Sequence, residues 1–319
     1  MKKFKFKSSE IYVLLGVLIL IIILFGALSG GSLFSGNVLE TFAFQLPEFG
    51  LLPLGMMVAI LTGGINMSLV ATTALSGILG ALVLSSPNLD PATAIILGTV
   101  VCIGSACLMG ALNGVIIAWL NVPPMLVTIG TMTLFEGISL NITEGGAISG
   151  FPQEFFAVGS GTLLGIPVPF LLFVIMAVVL FLLLQKTPWG EKVHMVGSNP
   201  KVTKYSGINN TSVLFRVYVL SGLMCGLAAL VMISRYNSAK VDYGASYLLQ
   251  TVSAVVLGGT SISGGYGKVG GTVIAVLIIQ MITTGFNIIG VNKLNTDICG
   301  LYYEGRVDGI LVLGCNEQD

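Results

Sequence analysis

IYVLLGVLILIIILFGAL, residues 11–28, is an apolar run of about 18 residues softened only by Tyr12 and two glycines. As a helix it reaches roughly 27 Å, close to the ~30 Å hydrocarbon thickness of a bilayer. A secretory signal carries a shorter apolar core of about 7–15 residues, so this run reads as an uncleaved first membrane helix. Lys2, Lys3, Lys5 and Lys7 precede it. By the positive-inside rule they hold the tail, residues 1–10, in the cytoplasm.

The rest of the chain has the same character. Of 319 residues, 55% are hydrophobic, 9% are charged and 42 are glycine, with a mean hydropathy of +0.97. So few ionised groups cannot solvate a particle of 33.3 kDa, which excludes a soluble globule. The net charge of zero gives no field for nucleic acid, and none is expected as a partner. The surface that cannot face water must face membrane lipid. The five cysteines include no CxxC pair and read as small packing residues.

Between Lys7 and Lys186 there is no Lys or Arg, although Glu10, Glu40, Glu48, Asp90, Glu136, Glu144 and Glu154 fall in that interval. Spans are expected at 11–28, 49–62, 66–86, 92–120, 123–140 and 166–185. An even number of crossings returns the chain to the cytoplasm, where residues 186–212 carry Lys186, Lys192, Lys201 and Lys204. The loops 30–48, 87–91 and 141–165 are then extracytoplasmic. Further apolar segments lie at 211–234, 245–258 and 269–290. After Asn292 the charges are too closely spaced for another clean span. The expected architecture is an all-α, polytopic transmembrane helical bundle of about 9–10 spans with broken or re-entrant helices. It has one membrane domain over 11–291 and an atypical segment over 292–319.

Four features bear on chemistry. Asn199 and Gly207 bracket a short helix, with Asn199 as N-cap, Pro200 at the first helical position and Gly207 able to take the left-handed conformation that ends it. It is either a tight connection between spans or a docking helix on the cytoplasmic face. Gly63-Gly64 and Gly258-Gly259, the latter followed by Gly264-Gly265, interrupt apolar segments in the two halves of the chain. Such breaks mark a transport path, or merely let helices approach closely. Glu136 is the best candidate for an ionisable group within the membrane, unless nearness to a span end lets it reach the interface. His194, the single histidine, reads as a solvated side chain. The run Gly265 to Gly270 spells GxGxxG without the strand and α/β context of a dinucleotide site, and Lys268 is not in a Walker A loop. No nucleotide site, metal site, cofactor or catalytic group is expected in this chain.

Four ordered blocks carry a resemblance. They are Leu61 to Ser68, then Gly110 to Gly114 with Val122 to Met132, then Val196 to Ile208, and finally Ala254 to Gly265. In these the sequence resembles the permease subunits of ribose-type (carbohydrate uptake class 2) bacterial ABC importers. The resemblance implies a multi-pass protein of the bacterial plasma (inner) membrane, paired with a second permease subunit as a homo- or heterodimer. It also implies cytoplasmic ATP-binding subunits and an extracytoplasmic substrate-binding protein. The block with Asn199, Pro200, Lys201, Lys204, Ser206, Gly207 and Ile208 is then the coupling helix that enters a cleft of the ATP-binding subunit. Two departures stand out. Asn66 replaces the family's common aspartate after Gly-Gly-Ile, and the apolar final span is missing after Val291.

The expected function is to pass a small polar solute, ribose or another monosaccharide, through a path at the dimer interface. Asn66, Ser68, Asn113, Thr128 and Thr131 are the candidate path residues, because amides and hydroxyls can replace a sugar's bonds to water. The alternative is an ion-coupled secondary transporter, suggested by the glycine breaks and Glu136.

Overall fold

The computed structural model describes residues 9–163 and 165–289. The N-terminal lysines and the segment 292–319 lie outside the described residues. Among the described residues, seven helices are long and apolar enough to cross a membrane: α1 (Ser9–Leu28), α2 (Gly36–Leu61), α4 (Pro91–Trp119), α5 (Pro124–Thr143), α7 (Val168–Gln185), α10 (Asn210–Tyr236) and α12 (Val269–Ile289). Two shorter apolar helices, α3 (Leu69–Leu84) and α11 (Tyr247–Leu257), are packed among them. Three more, α6 (Phe156–Ser160), α8 (Pro188–Ser198) and α9 (Pro200–Tyr205), lie in connections. The spans therefore match the sequence expectation closely, with one correction.

That correction concerns α2. Residues 30–48 are not an extracytoplasmic loop, because α2 begins at Gly36 and runs through Glu48 to Leu61 despite Pro47 and Pro53 inside it. A proline normally ends a helix by removing a donor and crowding the preceding turn. Here neighbouring helices surround the segment, and every residue from Leu46 to Leu61 is buried. Tertiary packing outweighs local preference. In the membrane-length window of α2, 89% of residues are buried, against 17% in α1, so α2 is the central post of the bundle and α1 is peripheral.

The directions of the helices follow from which residues meet. Glu48 of α2 pairs with Arg235 of α10, and Gly64 just beyond α2 lies under the Tyr218 hydroxyl, so α2 and α10 are antiparallel. Along α4 and α10, a methyl group on Gly110 would fall 2.4 Å from the Tyr218 carbonyl oxygen, and one on Gly222 2.4 Å from that of Ala106. Small residues let these two backbones touch, which is the usual way membrane helices gain van der Waals contact when lipid offers no hydrophobic drive.

One end of the bundle carries α8 and α9, called here the α9 end. The opposite end is closed by α6 and a two-stranded antiparallel ribbon, β1 (Ile148–Ser149) with β4 (Ser238–Ala239). The Ser234 hydroxyl donates to the Phe155 carbonyl at 2.7 Å and ties these connections to α10. A second ribbon, β2 (Thr162–Leu163) with β3 (Ile166–Pro167), leads into α7.

Candidate functional site

The helix α9 is capped as its sequence predicts. The Asn199 side-chain oxygen accepts from the backbone N–H groups of Lys201 and Val202, both at 3.1 Å. Pro200 occupies the first helical position. Gly207 has φ +78°, and the amides of Gly207 and Ile208 donate back to the carbonyls of Lys204 (3.2 Å) and Thr203 (3.1 Å). This is a Schellman closure, in which the left-handed residue costs nothing because it has no Cβ. The Ser206 hydroxyl donates to Val202 O at 3.0 Å, and Asn210 Nδ2 donates to Pro200 O at 2.7 Å, binding α9 to the start of α10. Thr203 faces inward and is buried, while Lys201, Val202, Lys204 and Tyr205 point away from the body. Tyr205 is 93% exposed. Six residues are too few for a stable isolated helix, so the caps and the contact with α10 hold it.

Beneath α9 the two glycine breaks meet. The Gly265 amide donates to the Leu61 carbonyl at 2.9 Å, joining the loop after α11 to the end of α2. Gly197, at the end of α8, sits on this bond: a methyl group there would lie 1.8 Å from Leu61 O and 2.5 Å from Gly265 N. A methyl on Gly264 would lie 2.6 Å from Gly63 N and 2.9 Å from Gly197 O. Three chain segments thus touch backbone to backbone. Gly63, Gly259, Gly264 and Gly265 all have positive φ, and Gly258 abuts Thr272 of α12. His194 is half-buried with Nδ1 3.2 Å from the Gly265 carbonyl, so it closes the joint rather than standing in solvent as its sequence context suggested.

A polar network lies just inside this joint. Asn66 Nδ2 donates to Ser221 Oγ (3.0 Å), Ser68 Oγ donates to Asn66 Oδ1 (2.8 Å), and Asn113 Nδ2 donates to Ser68 Oγ (2.8 Å). The Thr128 hydroxyl donates to the Ile65 carbonyl at 3.0 Å, and that of Thr131 to the Thr128 carbonyl at 3.3 Å. All five sequence-predicted residues are buried. The segment between α2 and α3 has no helical ladder, and these side chains supply the bonds that pin it to α4, α5 and α10.

A second polar cluster occupies the opposite half. Glu48 accepts from Arg235 Nη1 on one carboxylate oxygen and from Tyr236 OH on the other, which also accepts from Tyr247 OH at 2.9 Å. Glu48 is only 2% exposed. Its partners come from the end of α10 and the first residue of α11.

Residues 38–313 match the family described as branched-chain amino acid transport system / permease component. The chain belongs to this permease family. The permease is 40% identical over 301 residues to the ribose import permease protein RbsC of Bacillus subtilis (strain 168), covering 94% of this chain and 89% of the relative. It is 32% identical over 303 residues to the D-allose transport system permease protein AlsC of Escherichia coli (strain K12), covering 95% and 89%. It is 32% identical over 299 residues to the autoinducer 2 import system permease protein LsrD of Photorhabdus luminescens, covering 91% and 87%. In fold it is similar to an inward-facing metal-chelate type ABC transporter, with a TM-score of 0.55 and 14% identity, covering 92% of this chain and 97% of the other. The permease is a multi-pass membrane protein of transporter type.

The five candidate path residues, expected to line a path, lie together in the α9 half and bond to one another or to nearby backbone, whereas the cluster in the opposite half was not singled out from sequence. In the permease, Glu136 is half-buried on α5, whereas Glu48 is the fully enclosed acid. A signal for Glu48 was present in Arg235, the base that directly follows the long span 211–234, but nothing local tied two residues so far apart in sequence. The helix α8 was also not foreseen. Its start is marked by Thr187, whose hydroxyl oxygen accepts from the Gly190 amide at 3.3 Å, and by Pro188.

Proposed function

We propose that this permease forms the membrane path of an ATP-driven importer for ribose or another monosaccharide. The observation that carries the reading is α9, a doubly capped helix with an unpartnered outer face whose base is a backbone joint to both breaks in the membrane helices. A displacement of α9 reaches Leu61, Gly63 and Gly265 without passing through flexible side chains. That is the arrangement an external ATP-binding subunit needs in order to move the bundle, since this chain has no expected nucleotide site of its own. The ribose and D-allose permease relatives support a monosaccharide as the solute.

In this reading α9 and the N-terminal tail face the cytoplasm, and a substrate-binding protein delivers solute at the opposite end. A second permease subunit, identical or related, completes the path. Asn66, Ser68, Asn113, Thr128 and Thr131 act on that path from inside the subunit by fixing the α2–α3 break, and they reach solute only when the break rearranges. The test is uptake of labelled D-ribose by cells or vesicles carrying the complete importer. Collapsing proton and sodium gradients while ATP is held constant should leave uptake intact. Uptake that stops with the gradient refutes the proposal and favours an ion-coupled transporter.

A further inference from the structure

Glu48 is unused by that scheme, yet it is the most constrained charge in the described bundle. An ionised carboxylate inside a membrane protein is tolerated only when its bonding capacity is met, and here one guanidinium and two phenols meet it. The donors belong to two elements joined by residues 237–246, so a single side chain of α2 fastens the end of α10 and the start of α11 together. Phe49, the next residue of α2, lies edge-on to Tyr247 with ring centroids 5.5 Å apart and shields the same point. Arg235, by contrast, is 22% exposed. The Arg235 side chain thus reaches the surface of the chain while the carboxylate is enclosed.

Two further features make the fastening reversible. Glu48 follows Pro47 and precedes Pro53, and both prolines lack the amide that would continue the α2 ladder, so α2 can bend on either side of it. Ion pairs also change strength with hydration. A dry pair strongly resists loss of one partner, whereas the same pair in water is worth little. A clasp with one edge at the surface is therefore stable when shut and loses its hold once separation admits water, which gives two states rather than a continuum.

We propose that Glu48 is a positioning residue for transport, a latch that keeps α11 and the end of α10 against α2 while the end of the path remote from α9 is shut, and that lets go when water enters. The latch goes beyond the transport reading, and resting on it only for what the latch serves, it can be tested on the chain itself.

Thr251 lies one turn along α11 from Tyr247, fully buried and with its hydroxyl unpartnered, so Thr251→Cys is a near-isosteric reporter of α11 leaving α2. Cys102 and Cys225 are buried elsewhere and report general loosening. In a full-length chain with the remaining cysteines changed to serine, labelling by a membrane-impermeant maleimide is followed in right-side-out and inside-out vesicles. Glu48→Gln should speed labelling of Cys at 251 by about tenfold or more, the effect of losing one strong bond to a charged group. Tyr247→Phe, which leaves the ion pair intact, should speed it by roughly threefold to tenfold, while Cys102 and Cys225 stay unlabelled. Unchanged labelling in Tyr247→Phe overturns the latch, and that variant decides alone if Glu48→Gln fails to insert. A parallel rise at Cys225 also overturns it, because that is what a merely structural role gives. Failure of D-ribose uptake in the gradient experiment would leave the labelling result standing, so the two readings fail separately.

Discussion

Replacing Gly197 by alanine puts one methyl group into the joint between α8, α2 and the loop after α11. The new carbon would stand 1.8 Å from Leu61 O and 2.5 Å from Gly265 N, both backbone atoms. An ordinary contact needs about 3.4 Å, so the end of α8 must retreat by roughly 1.5 Å, and no rotamer change can absorb the displacement. The retreat also disturbs the 2.9 Å bond from Gly265 N to Leu61 O. Overpacking of this kind costs about 1–3 kcal/mol and a buried unmade bond about 1–3 more, so a total of ~2–6 kcal/mol falls on the joint. A bundle this size can survive that loss, but the connection between α9 and the α2 break cannot stay as it is. In proteoliposomes with the complete importer, labelled D-ribose entering per ATP hydrolysed should fall by about tenfold, equivalent to ~1.4 kcal/mol, with ATP hydrolysis changed by less than about twofold. Gly104→Ala provides the comparison, since a methyl there meets nothing within 4 Å in a helix interior. It should match the parent. If Gly197→Ala inserts normally and keeps the parent's ratio of solute to ATP, the joint is not the route of coupling.

Other outcomes follow from the same geometry. Asn199→Ala removes the acceptor for two amides at the start of α9 and should cost about 1 kcal/mol of local stability, read as faster amide hydrogen exchange over 200–205 without change in α10. Gly207→Val forces a β-branched residue to φ +78°, a strain of roughly 1–3 kcal/mol, and should uncouple ATP hydrolysis from uptake even though the site is open in space. Asn66→Ala takes the donor from Ser221 and the acceptor from Ser68, leaving Ser68 only its bond from Asn113, and should lower the unfolding midpoint in detergent, whereas Asn66→Asp should fold, because both serine hydroxyls can turn to donate to the carboxylate. A membrane-permeant maleimide should modify Cys107, which is half-buried, well before Cys102 or Cys225; equal rates at all three would contradict the packing of α3, α4 and α10.

The membrane helices were legible because a bilayer sets their length, and the ends of α4, α5, α7, α10 and α12 fall within a few residues of expectation. The cap residues of α9 were legible for a similar reason: Asn199, Pro200 and Gly207 act on their own backbone, so their effect is local. What sequence did not reveal depends on distant partners. The stretch from Gly36 to Glu48 contains Asn37, Glu40, Gln45 and Pro47 and reads as a loop, and it stays largely exposed over 36–41, so that its helix shows only as the continuation of the buried part that starts at Leu46. Asn66 and Asn113 were picked for their chemistry, but whether such amides face a path or each other is decided by tertiary contact. The two glycine breaks were seen separately. Their meeting at Gly197 is made by backbone atoms, with His194 the side chain that bonds to it, and no pattern of residue types announces a contact of that kind.

The central position of α2 has a consequence for how the protein is made. Glu48 leaves the ribosome 187 residues ahead of Arg235, its charged partner. At ordinary synthesis rates of about 5–20 residues per second that is a wait of roughly 10–40 s. During it the carboxylate has none of the three donors that later enclose it, because Arg235, Tyr236 and Tyr247 have not yet been made. The helix that ends as the most enclosed is thus among the first to be synthesised, and its retention in the membrane depends on the arrival of α10.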